Sequence, residues 1–595
     1  MSLNLQSAMD LVERVTGCPL SLNIFLENAP GLDINWEGDT AIIACDEPTA
    51  LTRAVFLLTA HQKRGETSLH LHQTRHFQSC GAMLDMSRNG VFTVDGAKRY
   101  MDAMAALGMN MLMLYTEDMY EVPGYPAFGY LRGRFSQNDL RELDRYACSL
   151  GIELIPCIQS LAHLTQFLRW PSSEALRDQP NCLLVDSEET YKLIEAMISS
   201  LRSCFSSNRI HIGMDEAYGV GLGHYLSKNG FQNRYDLLRR HLERVTSICE
   251  SHHFRPIMWS DMFFSLISKT GSYYDPEAEI PADMHLDRVD LAYWDYYHTD
   301  ENMYDQMLLK HEKMCDHPVF AGGIWTWRGF LPNYRFTFAS MIPALRVCAR
   351  HEVQTVFATM WGDDGQECSH FLAIPLLPLF SEACWEGPDY DMELVQCYGA
   401  LVSRLPRELT DVFDLFYPEA LCESGDKDMV WGDLLYPLMP LRKTTPEEIL
   451  SRTGLALEKL EHHPDTLEYN YTHTLFQLVH MRADLAVHLR PAYLAKDFDE
   501  LKRCLSMLPD LSEVYADMCT LHRTLWERDY RRQGWQDICL RYGALRGRID
   551  DVADELTRYL DGKLDCIPEL DEEPLPGEAY AWRYDNLISP GATPV

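Results

Sequence analysis

The sequence predicts an α/β fold: a closed (β/α)₈ TIM barrel, with a small N-terminal α+β domain and a C-terminal, mainly α-helical domain. Three observations predict it. Between about Cys80 and Trp385, a short apolar, β-rich run followed by an amphipathic helical pattern recurs eight times. Strands alternating with helices imply a parallel sheet with right-handed crossovers, and eight units in roughly 300 residues suit a closed barrel. The first run is followed by Met86-Ser87-Arg88-Asn89, where a doubly wound open sheet would usually carry a Gly-rich phosphate turn. Beyond about residue 391 the strand signal stops and helical spacing takes over.

Taken in order, residues 1–78 show helical pattern near Ser7–Val15 and Leu51–Gln62, with strands near Leu20–Leu26 and Thr40–Cys45. The barrel, residues 79–390, has strand runs at Gly81–Met86, Met109–Tyr115, Glu153–Gln159, Arg209–Asp215, Arg255–Trp259, Val289–Trp294, Val319–Trp325 and Thr355–Trp361. Helical patterns such as Gly96–Leu107, Asn138–Leu150, Glu189–Cys204, Tyr235–His252, Asp305–Cys315 and Ala339–His351 lie between them. In residues 391–595, Thr466–Leu489 and Phe498–Tyr530 place apolar residues at helical spacing. This domain suggests no chemistry of its own, and no motif decides whether it dimerises. The tail Asp565–Val595, rich in Pro, Asp and Glu, is expected to wrap the surface or to be loosely held.

Composition narrows the function classes. The 595 residues are 46% hydrophobic and 24% charged, an ordinary globular balance. A net charge of −35 argues against nucleic acid and anionic membranes, both polyanions, and a neutral substrate needs no charge steering. No apolar run approaches the roughly 20 residues of a membrane-spanning helix. Asp10, Glu13 and Arg14 interrupt the stretch where the apolar part of an export signal would lie. The 18 cysteines are scattered singly, without C-x-x-C pairs or zinc spacing, and read as reduced thiols. These bounds point to a cytoplasmic, soluble enzyme.

In such a barrel chemistry sits where strands end and loops begin. The strand ends carry Asp85, Ser87 and Arg88; Glu117 and Asp118; His163; Asp215 and Glu216; Trp259 and Asp261; Tyr293, Asp295 and Tyr296; Trp325 and Trp327; Trp361, Asp363 and Asp364. Carboxylates, an arginine and aromatic rings converging on one mouth suit a sugar, since ring faces stack on C–H surfaces while charged groups grip hydroxyls. The most specific element is His211-Ile212-Gly213-Met214-Asp215-Glu216. Neighbouring strand residues point to opposite faces, so both acids can meet one ligand only if the backbone turns at the strand end.

His211-x-Gly213-x-Asp215-Glu216 resembles the H-x-G-G-D-E signature of glycoside hydrolase family 20, the exo-β-N-acetylhexosaminidases. Leu84-Asp85-Met86-Ser87-Arg88 is similar to that family's first-strand motif, Thr116-Glu117-Asp118 to its acidic turn, and Trp361-Gly362-Asp363 to its last-strand element. The resemblance covers roughly residues 78–390. Met214 departs from it, standing where many members have a second glycine, and its side chain is expected to point away from the barrel axis. The resemblance implies substrate-assisted, retaining hydrolysis of terminal β-linked GlcNAc or GalNAc through an oxazolinium ion, with glycans as partners and neither cofactor nor metal.

On that scheme Glu216 is the general acid and then base, and needs a raised pKa. Asp215 stays ionised and orients the acetamide. His163, with Asp118 or Glu117 behind it, resembles a relay to the acid. Arg88 grips hydroxyls of the terminal sugar. Trp259, Trp327 and Trp361 are candidates for the acetamide box, with Trp325 as substitute for one of them. Tyr293 donates to the acetamide oxygen, and Asp295, Asp363 and Asp364 are candidate hydroxyl ligands. Tyr218–Tyr225 reads as a flexible rim. Two alternatives stay open: a conventional glycosidase acting directly on the sugar, and a sugar-binding protein on a decayed barrel.

Overall fold

The computed structural model describes residues 4–281, 284–417, 426–435 and 444–573. The first sheet has four strands in the order β1-β3-β2-β4: β1 (Asn23–Glu27), β2 (Leu32–Glu37), β3 (Thr40–Cys45) and β4 (Ser68–Gln73). β3 runs parallel to β1 and antiparallel to β2, which pairs with β4. Alternation is the reason for the sheet: Leu32, Ile34 and Trp36 of β2 and Ala41, Ile43 and Cys45 of β3 are buried while their neighbours face outward. The Pro48–Lys63 helix packs on both strands. β2 and β4 are additional to the expected strands: six-residue alternations rich in Asp, Asn and His resemble loops in sequence.

Eight parallel strands close the barrel in sequence order, the last pairing with the first. They are β5 (Ser79–Asp85), β6 (Met111–Tyr115), β7 (Glu153–Cys157), β8 (Arg209–His211), β9 (Arg255–Trp259), β10 (Asp290–Trp294), β11 (Val319–Gly323) and β12 (Thr355–Met360). β6, β10, β11 and β12 are buried at every position, as strands covered on both sides must be. The predicted runs overshoot at the mouth: β8 stops at His211, not Asp215, and β11 and β12 stop before Trp325 and Trp361. Beyond β8, Gly213 and Met214 have φ of 72° each, which ends the extended ladder.

The chain forms two compact units, which divide it differently from the expected 1–78, 79–390 and 391–595. One comprises the described residues to 324 with 337–361 and 370–406; the other comprises 325–336, 362–369 and the described residues from 407. The N-terminal sheet therefore belongs with the barrel. So does the Met392–Ser403 helix, whose Val395, Tyr398, Leu401 and Val402 are buried. The second unit is built on the Pro446–Leu460, Leu467–Ala495, Phe498–Asp529 and Trp535–Leu560 helices. Of the expected tail, residues 574–595 lie outside the described residues. Among the described residues no helix is long and apolar enough to cross a membrane, and the cysteines are free.

One buried ion pair ties the first unit together. Arg53, on the Pro48–Lys63 helix, reaches Glu382 bidentately at 2.8 and 3.0 Å and also donates to Gln73, Ser381 and the Leu107 carbonyl. Both partners are shielded from water. Truncating one leaves the other's charge stranded, a larger loss than the pair's net worth. Glu382→Ala is therefore expected to lower stability by about 3–5 kcal/mol. Denaturant unfolding checks this, and a change under about 1 kcal/mol would contradict it.

Candidate active site

The turn after β8 delivers the two acids. Gly213 at φ 72° is followed by Met214 at 72° and Glu216 at 48°, the left-handed region that only glycine enters without strain. A Cβ on Gly213 would stand 2.2 Å from Gln159 Oε1 and 2.7 Å from the Ile158 carbonyl, so no side chain fits. Gln159, just past β7, clamps the turn: its Oε1 accepts from the Met214 N–H at 3.1 Å, and its Nε2 donates to Asp215 Oδ1 at 2.6 Å and to the Tyr115 hydroxyl at 2.7 Å. Met214 is wholly buried. His211 accepts from the Gly213 N–H and lies against Trp259 at 4.3 Å. Burial pushes its pKa down to about 3, so it is a neutral packing group.

The acids occupy different surroundings. The Asp215 side chain is 11% exposed, whereas that of Glu216 is 43% exposed. His163 Nε2 stands 3.1 Å from Asp215 Oδ2 and 3.5 Å from Glu216 Oε2, close in distance but off line for a hydrogen bond, so these are contacts of charge. Burial disfavours the imidazolium, but Asp215 outweighs it and, with Glu117, pushes His163 up to about 9. Burial likewise works against the Asp215 carboxylate, and His163 and Gln159 overcome it, holding its pKa below the usual range. Asp215 is thus an anion at neutral pH, beside a cation.

Of the two acids expected behind His163, Glu117 is the one beside it, 4.0 Å from Nδ1. Asp118 pairs instead with Arg132, which also donates to the Ser87 carbonyl. The reason is local: Glu117 has a φ of 42°, and this turn separates the two side chains. Arg88 reaches Asp85 at 3.1 Å and Glu117 at 3.5 Å, and its guanidinium lies over Tyr115 and Trp361 at 5.2 and 5.4 Å. Trp361 meets Tyr115 edge-on at 4.9 Å, approaches Trp259 at 6.3 Å, and donates to the Tyr296 hydroxyl. The barrel therefore gathers Arg88, His163, Asp215, Glu216, Trp259 and Trp361 around Tyr115, Gln159 and Glu117.

Other expected residues are placed otherwise. The Tyr293 hydroxyl is committed to Asp295 at 2.7 Å, and Asp295 also receives His298 and the Tyr297 N–H, so both already organise the loop after β10. Trp325, Trp327 and Asp363 belong to the second unit, where the two tryptophans stack at 4.3 Å and Lys427 donates to the Trp327 carbonyl. The Tyr218–Tyr225 loop is pinned rather than loose: buried Asp178 accepts from the Gly221 and Tyr225 N–H groups at 2.7 and 2.8 Å. Tyr115 and Gln159 join the site beyond the expected residues; each closes a predicted strand run, and that position at the mouth was their signal in the sequence. Among the described residues no cluster of metal-ligand type occurs.

Residues 77–280 match the catalytic domain of glycosyl hydrolase family 20, and residues 426–583 match the glycoside hydrolase 20C C-terminal domain. Hexosaminidase D of Bos taurus is 26% identical over 234 residues, covering 37% of this chain and 62% of that protein. Hexosaminidase D of Homo sapiens is 27% identical over 224 residues, covering 36% of this chain and 44% of that protein. The chain thus spans less than two thirds of these relatives. The fold is shared with an exo-β-N-acetylglucosaminidase from Vibrio harveyi solved with N-acetylglucosamine: TM-score 0.50, 14% identity, 67% of this chain and 72% of that one. It is shared too with the Streptomyces plicatus N-acetyl-β-hexosaminidase: TM-score 0.50, 17% identity, 67% of this chain and 88% of that one. The chain belongs to glycoside hydrolase family 20.

Two tests follow from the turn and its charges. Gly213→Ala is expected to displace Gln159 and to lower stability by about 2 kcal/mol, read by thermal unfolding. An unchanged melting temperature would contradict the clamp. The His163 pKa lies above its unfolded value of 6.5, so its contribution to stability is full below that pH and is lost as pH rises through about 9. The stability gap between the native protein and His163→Gln should shrink over that window; a gap independent of pH would show that no imidazolium is held.

Proposed function

We propose that this protein hydrolyses terminal, non-reducing β-linked N-acetylglucosamine or N-acetylgalactosamine by substrate-assisted, retaining catalysis. One observation carries the reading: two adjacent carboxylates share one histidine but occupy different environments, Asp215 buried and ionised, Glu216 open to the mouth. Pairs of titratable groups with divergent environments mark divided acid–base roles. Family membership and the aromatic lining of the barrel mouth support the same class of substrate.

In this mechanism Glu216 gives its proton to the glycosidic oxygen as the bond to the anomeric carbon breaks. The acetamide oxygen of the substrate closes onto that carbon, forming an oxazolinium ion. Asp215 accepts the acetamide N–H and faces the positive charge that develops there, so its stabilisation grows toward the transition state. Glu216, now a carboxylate, then takes a proton from water as the water opens the ring, and returns to its starting state. Arg88 grips sugar hydroxyls, and Trp259 and Trp361 confine the acetamide so that it meets the reacting carbon, an orientation effect of several kcal/mol. Asp215 cannot itself be the nucleophile in this scheme, and a substrate lacking the acetamide has none.

The test compares p-nitrophenyl β-GlcNAc, β-GalNAc and β-glucoside. The amino sugars should turn over and the glucoside should not. Glu216→Gln is expected to lose about 10²–10⁴-fold in kcat, and Asp215→Asn to lower kcat far more than it changes KM. Equal turnover of the glucoside, or an unimpaired Glu216→Gln enzyme, would overturn the assignment.

A further inference from the structure

A third carboxyl group, which the mechanism above does not use, touches the acid–base residue. Asp261 follows β9 and is completely shielded from water. Its Oδ2 accepts the backbone N–H of Glu216 at 3.0 Å. Glu216 is held at a φ of 48°, a conformation that costs a non-glycine residue of order 1 kcal/mol or more and persists only where neighbours impose it. Gln159 fixes the start of this turn at Met214, and Asp261 fixes its end.

We propose that Asp261 is a positioning residue that holds Glu216 in its left-handed turn as a neutral carboxylic acid. Three features of its surroundings carry the second half of this statement. No lysine, arginine or histidine lies within ion-pairing distance among the described residues, so a charge on Asp261 would be buried and unpaired. Its neighbours are acids and phenols: Asp215 and Glu216 from the β8 turn, Tyr218 from the loop beyond, and Tyr274. Its second oxygen, Oδ1, is buried with no hydrogen-bond partner among the described residues. A carboxylate would leave that oxygen's charge unsolvated, whereas a carboxylic acid places its proton there and keeps Oδ2 as the acceptor for Glu216. Burial first, then the charge of Asp215, pushes the Asp261 pKa up to about 8, in the same direction.

The consequence for chemistry is specific. A neutral Asp261 anchors the turn without adding a third negative charge, which would compete with Asp215 for His163 and hinder proton release from Glu216. Asn, which keeps a carbonyl acceptor and carries no charge, should therefore replace Asp261 well, and Ala should not. The inference on catalysis rests on the proposed role of Glu216; the protonation state does not.

The experiment compares Asp261→Asn and Asp261→Ala in the full chain, using p-nitrophenyl β-GlcNAc kinetics across pH and infrared difference spectra. Asp261→Asn is expected to retain kcat within about threefold and to leave the alkaline limb of kcat/KM in place. Asp261→Ala is expected to lose at least about 30-fold in kcat with little change in KM, while melting cooperatively. At pH about 6.5 a protonated-carboxyl stretch should be present in the native protein and missing from Asp261→Asn. The proposal is overturned if Asn is as damaging as Ala, if Ala keeps native kcat, or if Asn moves the alkaline limb toward acid by half a unit or more, the sign that a like charge was removed. Where Asp261→Ala fails to fold, the Asn variant and the infrared band still decide. A native protein inactive on the amino sugar but showing that band would defeat the proposed activity and leave the protonation state standing.

Discussion

The site depends on a backbone constraint: the chain must reverse its side-chain alternation directly after β8. A strand would send Asp215 and Glu216 to opposite faces, and two left-handed residues in succession, Gly213 and Met214, undo that. The conformation is held from outside. Gln159 binds the Met214 N–H and Asp215 together, and Asp261 binds the Glu216 N–H, so neighbouring strands β7 and β9 supply the restraints on the turn between them. Left-handed residues also stand at Glu117 and His163, in the loops that follow β6 and β7. Strain concentrated at the barrel mouth is the local departure from regular structure that aims these side chains at one another.

Charge is arranged around the turn with the same economy. His163 stands among Asp215, Glu216 and Glu117, and Arg88 reaches Glu117 and Asp85. Two cations thus serve four carboxylates, and the balance between burial and the neighbouring cation sets the direction in which a buried acid shifts. Asp215, against His163 and Gln159, is stabilised as an anion, whereas Glu117 and Asp118 are pushed upward by burial despite their cationic neighbours. Asp261, without any cation, lies at the far end of the same scale.

The second unit has its own polar anchor. Lys427 is buried against Glu367 at 2.8 Å and Asp364 at 3.1 Å, and Arg541 and the Trp431 indole also reach Glu367. The segments 325–336 and 362–369 follow β11 and β12 in sequence yet pack with the helices after residue 407, and this network is one reason. The turn there is irregular, with Asp364 and Gln366 at φ of 66° and 64°, and the buried lysine is what compensates its acids. The C-terminal helices therefore support the segments that hold Trp325, Trp327 and Asp363.

The sequence by itself determined the eight-stranded barrel, its strand order and the location of the acidic pair. Those features follow from local signals: continuous apolar runs at regular spacing, and a motif confined to six residues. It did not determine β2 and β4, which are too short and polar to stand out, nor the limits of the compact units, which follow from long-range packing. Tertiary structure alone decided that Glu117 rather than Asp118 stands beside His163, that the Tyr293 hydroxyl is spent on Asp295, and that Gln159 and Asp261 clamp the turn after β8. Each of these rests on the direction of a side chain at a strand end, where φ leaves the extended range. Alternation in the sequence loses its meaning there, and only contacts between neighbouring strands settle where a group points.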